Sequence, residues 1–328
     1  MLDHFAGIEA VAEYLPSRVA SVGELEARGL LRGSAETLRS FGFETVHLAG
    51  RESNLDMAIA AADQLLDETD IDRDEIGMIL YAAALNSSST LWNGNGVSRP
   101  GSVLDLGNVH DLFKYPGSVL QTRLDLRNAS VIGINQVGCA SIFAALRMAR
   151  ALITAEDDLR AILCVSADKF PSDQQRDLAY NVVSDGACAA LVRRDARRNR
   201  IIECTQVTKG ALWESDEIEN EIIAAYFPTA ATLIQRTLDN AGLTIDDIAL
   251  VIPHNVSLRS WEILGRLIKC PADRIYTNNI SKVGHTIASD NLLNLRHATE
   301  AGLVEKGDYM MLFTFGYGSN WACMVVQH

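Results

Sequence analysis

A cysteine near the middle of the chain stands where an α/β protein would place a nucleophile. Cys139 follows an apolar stretch, comes directly after Gly138 and opens a predicted helix at 141–154. The positive end of a helix dipole favours the thiolate, which is the nucleophilic form of cysteine. Backbone N–H groups at a helix start can also hold an oxyanion. The local pattern therefore favours a nucleophile, with a buried packing cysteine as the alternative.

Two of the seven histidines lie where they can serve this cysteine. His254 ends an apolar stretch in the sequence P-H-N, and α/β folds place functional groups at the carboxyl ends of strands. His285 lies in V-G-H-T before a helix, which repeats the V-G-C-A around Cys139. A cysteine with two such histidines is typical of a nucleophile with its base and oxyanion donors. Each imidazole taken separately can equally be structural.

A glycine-containing turn, F-G-Y-G-S-N at 315–320, separates the last two predicted strands. Its N–H groups can form the other half of an oxyanion hole, although a plain hairpin turn has the same sequence pattern. The chain lacks G-x-G-x-x-G, Walker A, G-x-S-x-G and H-E-x-x-H motifs. Their absence argues against a nicotinamide enzyme, an NTPase, an α/β-hydrolase and a zincin.

Composition restricts the class of protein further. The 328 residues include 29 Lys and Arg against 42 Asp and Glu, a net charge of −13, which disfavours a nucleic-acid partner. Hydrophobic residues make up 48% of the chain, enough for a large core. No apolar run approaches the ~20 residues of a spanning helix, and the N-terminus lacks signal-peptide features. We expect a cytoplasmic globular protein without a membrane partner.

The six cysteines form no C-x-x-C pair and have no close histidine partners. This spacing indicates neither a zinc site nor a disulfide framework, so we expect no metal and no cofactor. Five of the cysteines are interpreted as core residues, and Cys139 is the exception.

Helix-like and strand-like stretches alternate, which predicts an α/β fold. Helices are predicted at 54–68, 141–154 and 221–240, and strands at 75–84, 129–136, 161–167, 187–192, 309–315 and 320–326. An acidic turn followed by an apolar strand occurs at 71–80 and again at 243–252, and the V-G-x turns repeat in the same order. Two repeated motifs indicate a tandem duplication. We therefore predict halves at 1–200 and 201–328, related by a pseudo-twofold that brings Cys139 near His285.

A long segment at 86–127, rich in Asn, Ser and Gly, interrupts the first half. Loops of this length are usually functional or lie at an interface. We favour a substrate-covering or dimer-contact element, and a mobile surface insertion is the alternative.

These motifs together resemble those of the thiolase superfamily, and most closely its β-ketoacyl-acyl-carrier-protein synthase III family. The similarity runs through nearly the whole chain in order. It includes S-D-G-A-C-A-A at 184–190, similar to the family's G-D-G-A-G-A, and V-E-K-G-D at 304–308. The resemblance implies a thiolase-like fold with two pseudo-duplicated βαβ-rich halves in a layered α-β-α-β-α core. It also implies a homodimer.

The resemblance further implies roles for individual residues. Cys139 matches the acyl-accepting nucleophile, His254 the histidine of P-H-Q-A-N, and His285 the place of the usual Asn in G-N-T. The backbone N–H groups of Cys139 and Tyr317 match the oxyanion hole. The neighbouring residues Asn255, Ser257 and Gly316 are then candidates for substrate binding.

Three positions depart from the family pattern. They are His285 for Asn, Ser257 for the Asn of P-H-Q-A-N, and a weak R-S-F-G-F at 39–43 for the stretch that clamps coenzyme A. The weak clamp favours a carrier-protein donor over acyl-CoA. Three basic residues after His254 would then meet an acidic carrier helix, although a solvated basic face is equally consistent with them. They are Arg259, Arg266 and Lys269.

The resemblance therefore implies an acyltransferase that loads an acyl group from a coenzyme A or carrier-protein thioester onto Cys139. Condensation with a malonyl-type thioester is the expected second step. Because His285 replaces Asn, transfer to a hydroxyl or amine without C–C bond formation is an alternative. A non-catalytic subunit that binds a carrier protein is a third possibility, against which the intact Cys139 and His254 argue.

Overall fold

A computed structural model describes residues 5–88, 115–179, 181–213 and 218–328. The strands of these ranges are β1 Ala6–Tyr14, β2 Val19–Ser21, β3 Thr45–His47, β4 Ile76–Ala82, β5 Ser130–Ile134, β6 Ala161–Asp168, β7 Asp177–Leu178, β8 Asn181–Val182, β9 Gly186–Arg194, β10 Arg200–Thr208, β11 Ile248–Pro253, β12 Tyr309–Gly316 and β13 Asn320–Gln327. The helices are α1 Val22–Ala27, α2 Ala35–Ser40, α3 Asn54–Thr69, α4 Pro116–Arg123, α5 Ser141–Ala155, α6 Ile218–Ala241, α7 Leu258–Ile268, α8 Ile280–Val283 and α9 Asp290–Glu300. The predicted helices and strands agree with these elements to within a few residues.

The main sheet has the strand order β11-β12-β13-β10-β1-β9-β6-β4-β5. Two equivalent series of four strands run outward from the centre of this sheet. One is β1-β9-β6-β4, and the other, in the opposite direction, is β10-β13-β12-β11. The central strands β1 and β10 are joined only through the pair Gly7–Arg200. In both directions, the outer strands pair in parallel and the inner strands pair antiparallel. This is the arrangement expected of two equivalent units, although the predicted boundary at 200/201 stays a prediction.

Helices cover and separate the two groups of strands. Apolar residues of α3 and α4 pack on the outer face of the first group, and those of α6 and α7 on the outer face of the second. Between the groups, α5 and α9 share one core with strands from both of them. The result is a layered α-β-α-β-α fold, and the fold class expected from the sequence is correct.

Similar local interactions form the turns that precede β4 and β11. Asp72 accepts the N–H of Asp74 before β4, and Asp247 accepts the N–H and hydroxyl of Thr244 before β11. Polar side chains of this kind satisfy the unpaired N–H groups of a short turn. The repeated acidic turns of the sequence thus start equivalent parallel strands.

The helix α5 lies in the central layer, and its composition reflects that position. By length and hydropathy, Gly138–Ala155 is the one stretch among the described residues that is able to cross a bilayer, but half of it is buried within the fold. The buried face of this helix packs against strands of both halves, which explains its many apolar residues. The six cysteines are all free and buried.

The 86–127 segment is described only at its two ends. Residues 86–88 form a short 3₁₀ turn and α4 occupies Pro116–Arg123, a helix that the sequence did not predict. The predicted substrate-covering or dimer-contact role concerns mainly 89–114, which lies outside the described residues.

Candidate active site

Cys139 lies in a single 3₁₀ turn, Gly138–Ala140, that leads directly into α5. Gly138 has a φ of 54°, in the left-handed region that favours glycine. The side chain of Cys139 is only 7% exposed. The sulfur therefore lies at the positive end of a long core helix, in a largely dry environment.

The turn that carries Cys139 packs backbone against backbone on the loop after β12. A Cβ on Gly316 would lie 2.7 Å from the amide nitrogen of Cys139 and 2.4 Å from the carbonyl oxygen of Val137. A Cβ on Gly138 would lie 2.7 Å from the amide nitrogen of Tyr317. Both contacts are too close for any side chain. The two glycines therefore let the N–H groups proposed for the oxyanion hole approach one another.

His285 approaches the sulfur from the second half of the molecule. Its Nε2 lies 3.4 Å from Sγ of Cys139. Its backbone is held on both sides, because its N–H donates to Val182 and its carbonyl accepts the N–H of Ser184. Gly284, with a φ of 71°, gives the close turn that this position needs. The structure thus brings the two residues of the repeated V-G-x turns into direct contact.

Asp290, at the start of α9, holds the other side of the His285 ring. Its Oδ2 lies 2.5 Å from Nδ1 of His285. Burial alone would lower the pKa of His285, but the Asp290 carboxylate and the Cys139 thiol raise it well above its ordinary value. Burial would raise the pKa of Asp290, and contact with His285 and with nearby donors lowers it instead. The three side chains form a continuous Cys–His–carboxylate array.

His254 lies directly after β11 and is almost completely buried. Its N–H donates to the carbonyl of Phe313, and its own carbonyl accepts the indole N–H of Trp261. Burial, together with the nearby His285, lowers the pKa of His254 to about 3. Its ring is therefore a neutral imidazole at physiological pH, with its centroid 6.4 Å from that of His285.

The proton of this neutral ring is best placed on Nε2. The Nδ1 atom of His254 is buried and has no hydrogen-bond partner among the described residues. An unpaired lone pair is tolerated inside a protein more readily than an unpaired N–H. Nε2 lies 3.5 Å from the hydroxyl of Tyr226 on α6. Tyr226 also lines an apolar pocket with Phe227, Phe315 and Tyr317.

Apolar side chains enclose the nucleophile. Cys139 packs in one buried cluster with Val183 and Ile287. Half-buried residues complete this cluster, namely Ala84, Leu85, Phe170 and Leu178. Such surroundings suit the hydrocarbon part of an acyl group.

Asn255 and Ser257, predicted to contact substrate, make internal hydrogen bonds instead of facing an open space. The amide of Asn255 donates to Gly284 and accepts from Asn294. The hydroxyl of Ser257 caps α7 by accepting the N–H of Ser260. The structure gives both side chains a positioning role, and their contact with substrate stays a prediction.

The predicted carrier-docking residues lie on α7 and at its C-terminal end. Arg259, Arg266 and Lys269 are all exposed. Arg259 and Arg266 are two helical turns apart and share one face. The helix follows the His254 loop directly, so this basic surface is connected to the site by a few residues of chain.

The sequence analysis missed Asp290 and Tyr226. Asp290 stands five residues after His285, in the first turn of a helix, where an acidic residue is usually only a cap. Tyr226 gives no local signal, because α6 is far from the other site residues in the sequence. Among the described residues, no group of His, Cys, Asp and Glu side chains is arranged to hold a metal ion.

Comparison with known proteins identifies two matching family regions. Residues 134–210 match the family described as 3-oxoacyl-[acyl-carrier-protein (ACP)] synthase III, and residues 238–328 match its C-terminal region. Together these regions span just over half of the chain. They contain Cys139, His254, His285 and Asp290.

Individual proteins show the same similarity, over nearly the whole chain or over about half of it. The β-ketoacyl-[acyl-carrier-protein] synthase III of Aquifex aeolicus is 22% identical over 326 residues, covering 96% of this chain and 97% of its own. That of Roseiflexus castenholzii is 40% identical over 158 residues, 48% of each chain. The solved structure of the Thermus thermophilus synthase III superposes with a TM-score of 0.80 at 23% identity, covering 98% of this chain and 99% of the other.

Proposed function

Because the chain belongs to the ketosynthase III-like family of the thiolase superfamily, we propose that it is a condensing enzyme that works through an acyl group carried on Cys139. The acyl group comes from a coenzyme A or carrier-protein thioester, and a malonyl-type thioester is the second substrate. The observation that carries this proposal is the 3.4 Å contact between Sγ of Cys139 and Nε2 of His285 at the start of α5. A core cysteine without a chemical role needs no such partner.

In the first step, the thiolate of Cys139 attacks the carbonyl carbon of the incoming thioester. The oxygen of the tetrahedral intermediate lies between the N–H groups of Cys139 and Tyr317, which the glycines at 138 and 316 allow to converge. Collapse of the intermediate expels the donor thiol. The acyl chain then lies among the apolar residues that surround the sulfur.

In the second step, the neutral His254 donates a hydrogen bond from Nε2 to the carbonyl of the malonyl thioester. Loss of CO₂ leaves an enolate, whose carbon attacks the acyl carbonyl and releases Cys139. A protonated imidazole is not required, which fits the strongly lowered pKa of His254. Tyr226 lines an apolar pocket and its hydroxyl lies 3.5 Å from this nitrogen, so we assign the pocket to the pantetheine-like arm of the second substrate.

Transfer of the acyl group to a hydroxyl or amine is the second candidate function, and His285 favours it. An imidazole at this position, where the family carries an amide, can accept a proton from an incoming nucleophile. The second substrate separates the two reactions. Acyl-loaded enzyme that releases CO₂ from a malonyl carrier protein and yields a β-ketoacyl product is a condensing enzyme. Acyl-loaded enzyme that leaves every malonyl donor intact and acylates an alcohol or amine is a plain acyltransferase.

The donor is proposed to be delivered by a carrier protein that docks on α7. Arg259, Arg266 and Lys269 form an exposed basic surface on a chain whose net charge is −13. Most of the surface of so acidic a chain would repel an acidic carrier, whereas the basic residues of α7 would attract it. The same helix begins four residues after His254, so docking there places the substrate arm near the site.

The enzyme is proposed to act as a homodimer joined through β5. This strand lies at the edge of the sheet, where β4 is its only partner in the described part of the chain, and Ile132 on it is 37% exposed. An exposed apolar edge strand is a template for pairing with another strand. A second copy related by a twofold axis would continue the sheet across β5.

A further inference from the structure

We propose that Asp290 is a positioning residue for the nucleophile: it keeps His285 with a proton on Nδ1 and an open lone pair on Nε2, so that His285 takes the thiol proton of Cys139. His254 is then left to act on the second substrate alone. The inference rests on the proposed function, since it assigns the two histidines to different steps of that reaction. Its test uses the thiol of Cys139 itself, without any acyl donor.

The surroundings of Asp290 require an ionised carboxyl group. The residue is fully buried, and its Oδ1 accepts the N–H of Thr286 at 2.6 Å and the hydroxyl of Thr286 at 2.7 Å. Its Oδ2 accepts the N–H of Asn255 at 2.7 Å and faces Nδ1 of His285. Both oxygens are thus saturated with donors. A protonated acid would place its own hydrogen against one of them.

This carboxylate fixes which ring nitrogen of His285 carries the proton. Because Oδ2 can only accept, Nδ1 must donate. Nε2 is therefore a base when the ring is neutral, and it faces Sγ of Cys139. No rotation of the ring is needed, since Nδ1 already faces Asp290 and Nε2 already faces Sγ.

The charges around His285 favour its protonated form. Asp290 on α9 and the Cys139 sulfur before α5 raise its pKa, while burial opposes them. His254 carries no charge at physiological pH, so it adds little repulsion. His285 can therefore hold the proton that its Nε2 takes from Cys139 when the sulfur attacks.

The proton and electron balance of the loading step follows from this pair. The S–H bond of Cys139 breaks and its proton forms an N–H bond at Nε2 of His285. The thiolate attacks the thioester carbonyl, the bond from that carbon to the donor sulfur breaks, and the departing thiolate takes the proton from Nε2. His285 is then neutral again, with Nδ1–H still donating to Asp290, and can accept another proton at Nε2.

Asn255, in the loop after β11, helps to hold the Asp290 carboxylate in place. Its N–H binds Asp290, while its side chain links the carbonyl of Gly284 to the amide of Asn294. The carboxylate is therefore held by the loops that carry His254 and His285. This is a function for Asn255 that needs no contact with substrate.

The experiment is alkylation of Cys139 by iodoacetamide over a range of pH, followed by mass spectrometry of the modified peptide. In Asp290→Asn, the amide NH₂ either faces Nδ1 of His285, where it favours the wrong tautomer, or faces the N–H of Thr286, where two donors repel and displace the side chain. In both orientations the negative charge beside His285 is lost. We expect alkylation near neutral pH to slow by on the order of tenfold or more, and the rate–pH curve to move to higher pH. The matched control is Asp308→Asn, a remote carboxylate that also accepts a backbone N–H, from Glu305, and its curve should equal that of the parent.

A double-mutant cycle separates this role from general support of the fold. If Asp290 acts through His285, then Asp290→Asn has no further effect on alkylation in a His285→Asn background. Equal effects in both backgrounds would overturn the proposal, as would an unchanged rate–pH curve in folded Asp290→Asn. Should Asp290→Asn fail to fold, the ultraviolet absorbance of the thiolate decides. The parent should show more Cys139-dependent thiolate absorbance near neutral pH than His285→Asn does, and equal absorbance in the two proteins contradicts proton transfer to His285.

These outcomes are distinct from failure of the proposed function. Alkylation and absorbance report the state of the sulfur only. A protein that passes both tests but accepts no acyl group keeps the Asp290 assignment and loses the proposed reaction.

Discussion

The imidazole rings of His254 and His285 lie 6.4 Å apart, and their pKa values are displaced in opposite directions. His254 is buried among Trp261, Phe313 and Tyr226, and burial lowers its pKa by more than the Asp290 carboxylate raises it, so its ring stays neutral. His285 is equally buried but contacts a carboxylate and a thiol. Two histidines of one site thus have different charges, which is how a fold can assign different proton-transfer roles to the same residue type.

The opposite shifts predict opposite effects of pH on stability. Between about pH 6.5 and about pH 3 the unfolded chain protonates residue 254 and the folded chain does not, so stability falls as the pH drops. The folded chain keeps His285 protonated above about pH 6.5, so that contribution is lost as the pH rises toward the raised pKa.

Scanning calorimetry at a series of pH values checks this. On acidification from about pH 6.5 to about pH 4.5, the Tm of His254→Gln should fall by less than the Tm of the parent. His285→Gln should show the smaller loss on the alkaline side. Parallel Tm curves for all three proteins would contradict the assigned protonation states.

A second prediction concerns the close contact at Gly316. A methyl group there would push the backbone away from the amide of Cys139 and from the carbonyl of Val137. Gly316→Ala should therefore slow acylation of Cys139 by on the order of tenfold or more, because the oxyanion donors separate, and should destabilise the fold by about 1–3 kcal/mol. Burst-phase acylation kinetics measure the first effect. Gly210→Ala is the control, since a Cβ there contacts nothing, and equal rates for the two variants would count against the oxyanion assignment.

The basic surface of α7 gives a third prediction. Reversing Arg259, Arg266 and Lys269 to Glu should raise the KM for an acyl carrier protein on the order of tenfold at low salt, and less at high salt. The KM for the same acyl group on pantetheine should stay constant. A triple reversal of three other exposed residues, Arg127, Arg198 and Lys306, controls for net charge. If both triple variants lose carrier affinity equally, docking is not specific to α7.

A fourth prediction concerns the edge strand β5. Ile132→Lys places a charge on the exposed edge and should convert a dimer to a monomer at micromolar concentration, because an unpaired buried charge is costly in a sheet interface. Sedimentation measures the mass. Leu303→Lys, at an exposed apolar residue in the turn after α9, should leave the dimer intact. A parent protein that sediments as a monomer, or an Ile132→Lys variant that stays dimeric, would exclude this interface.

Several features of the site were accessible from the sequence because their signals are local. Cys139 and His285 each follow a V-G pair and precede a helix, and the duplication predicted that they would meet. His254 was found because it ends an apolar strand. These patterns depend on a few neighbouring residues, which the sequence displays directly.

The remaining features depend on contacts that the sequence does not display. Asp290 resembles an ordinary helix cap until the fold places Nδ1 of His285 beside it. Tyr226 lies on α6, a distant helix that reaches His254 only in three dimensions. Strands β1 and β10 were not predicted, since their sequences AGIEAVAEY and RIIECTQVT mix acidic and apolar residues, although both strands lie at the centre of the sheet.

The most direct test of the central claim is the mass of the intact protein after incubation with an acyl thioester. We predict a covalent adduct of one acyl group per chain that maps to Cys139, is released by hydroxylamine and is absent from Cys139→Ala. Both acyl-CoA and acyl carrier protein should be tried as donors, since either is consistent with the site. A folded protein that gains no acyl mass from either donor, or that gains it equally in Cys139→Ala, would contradict the account.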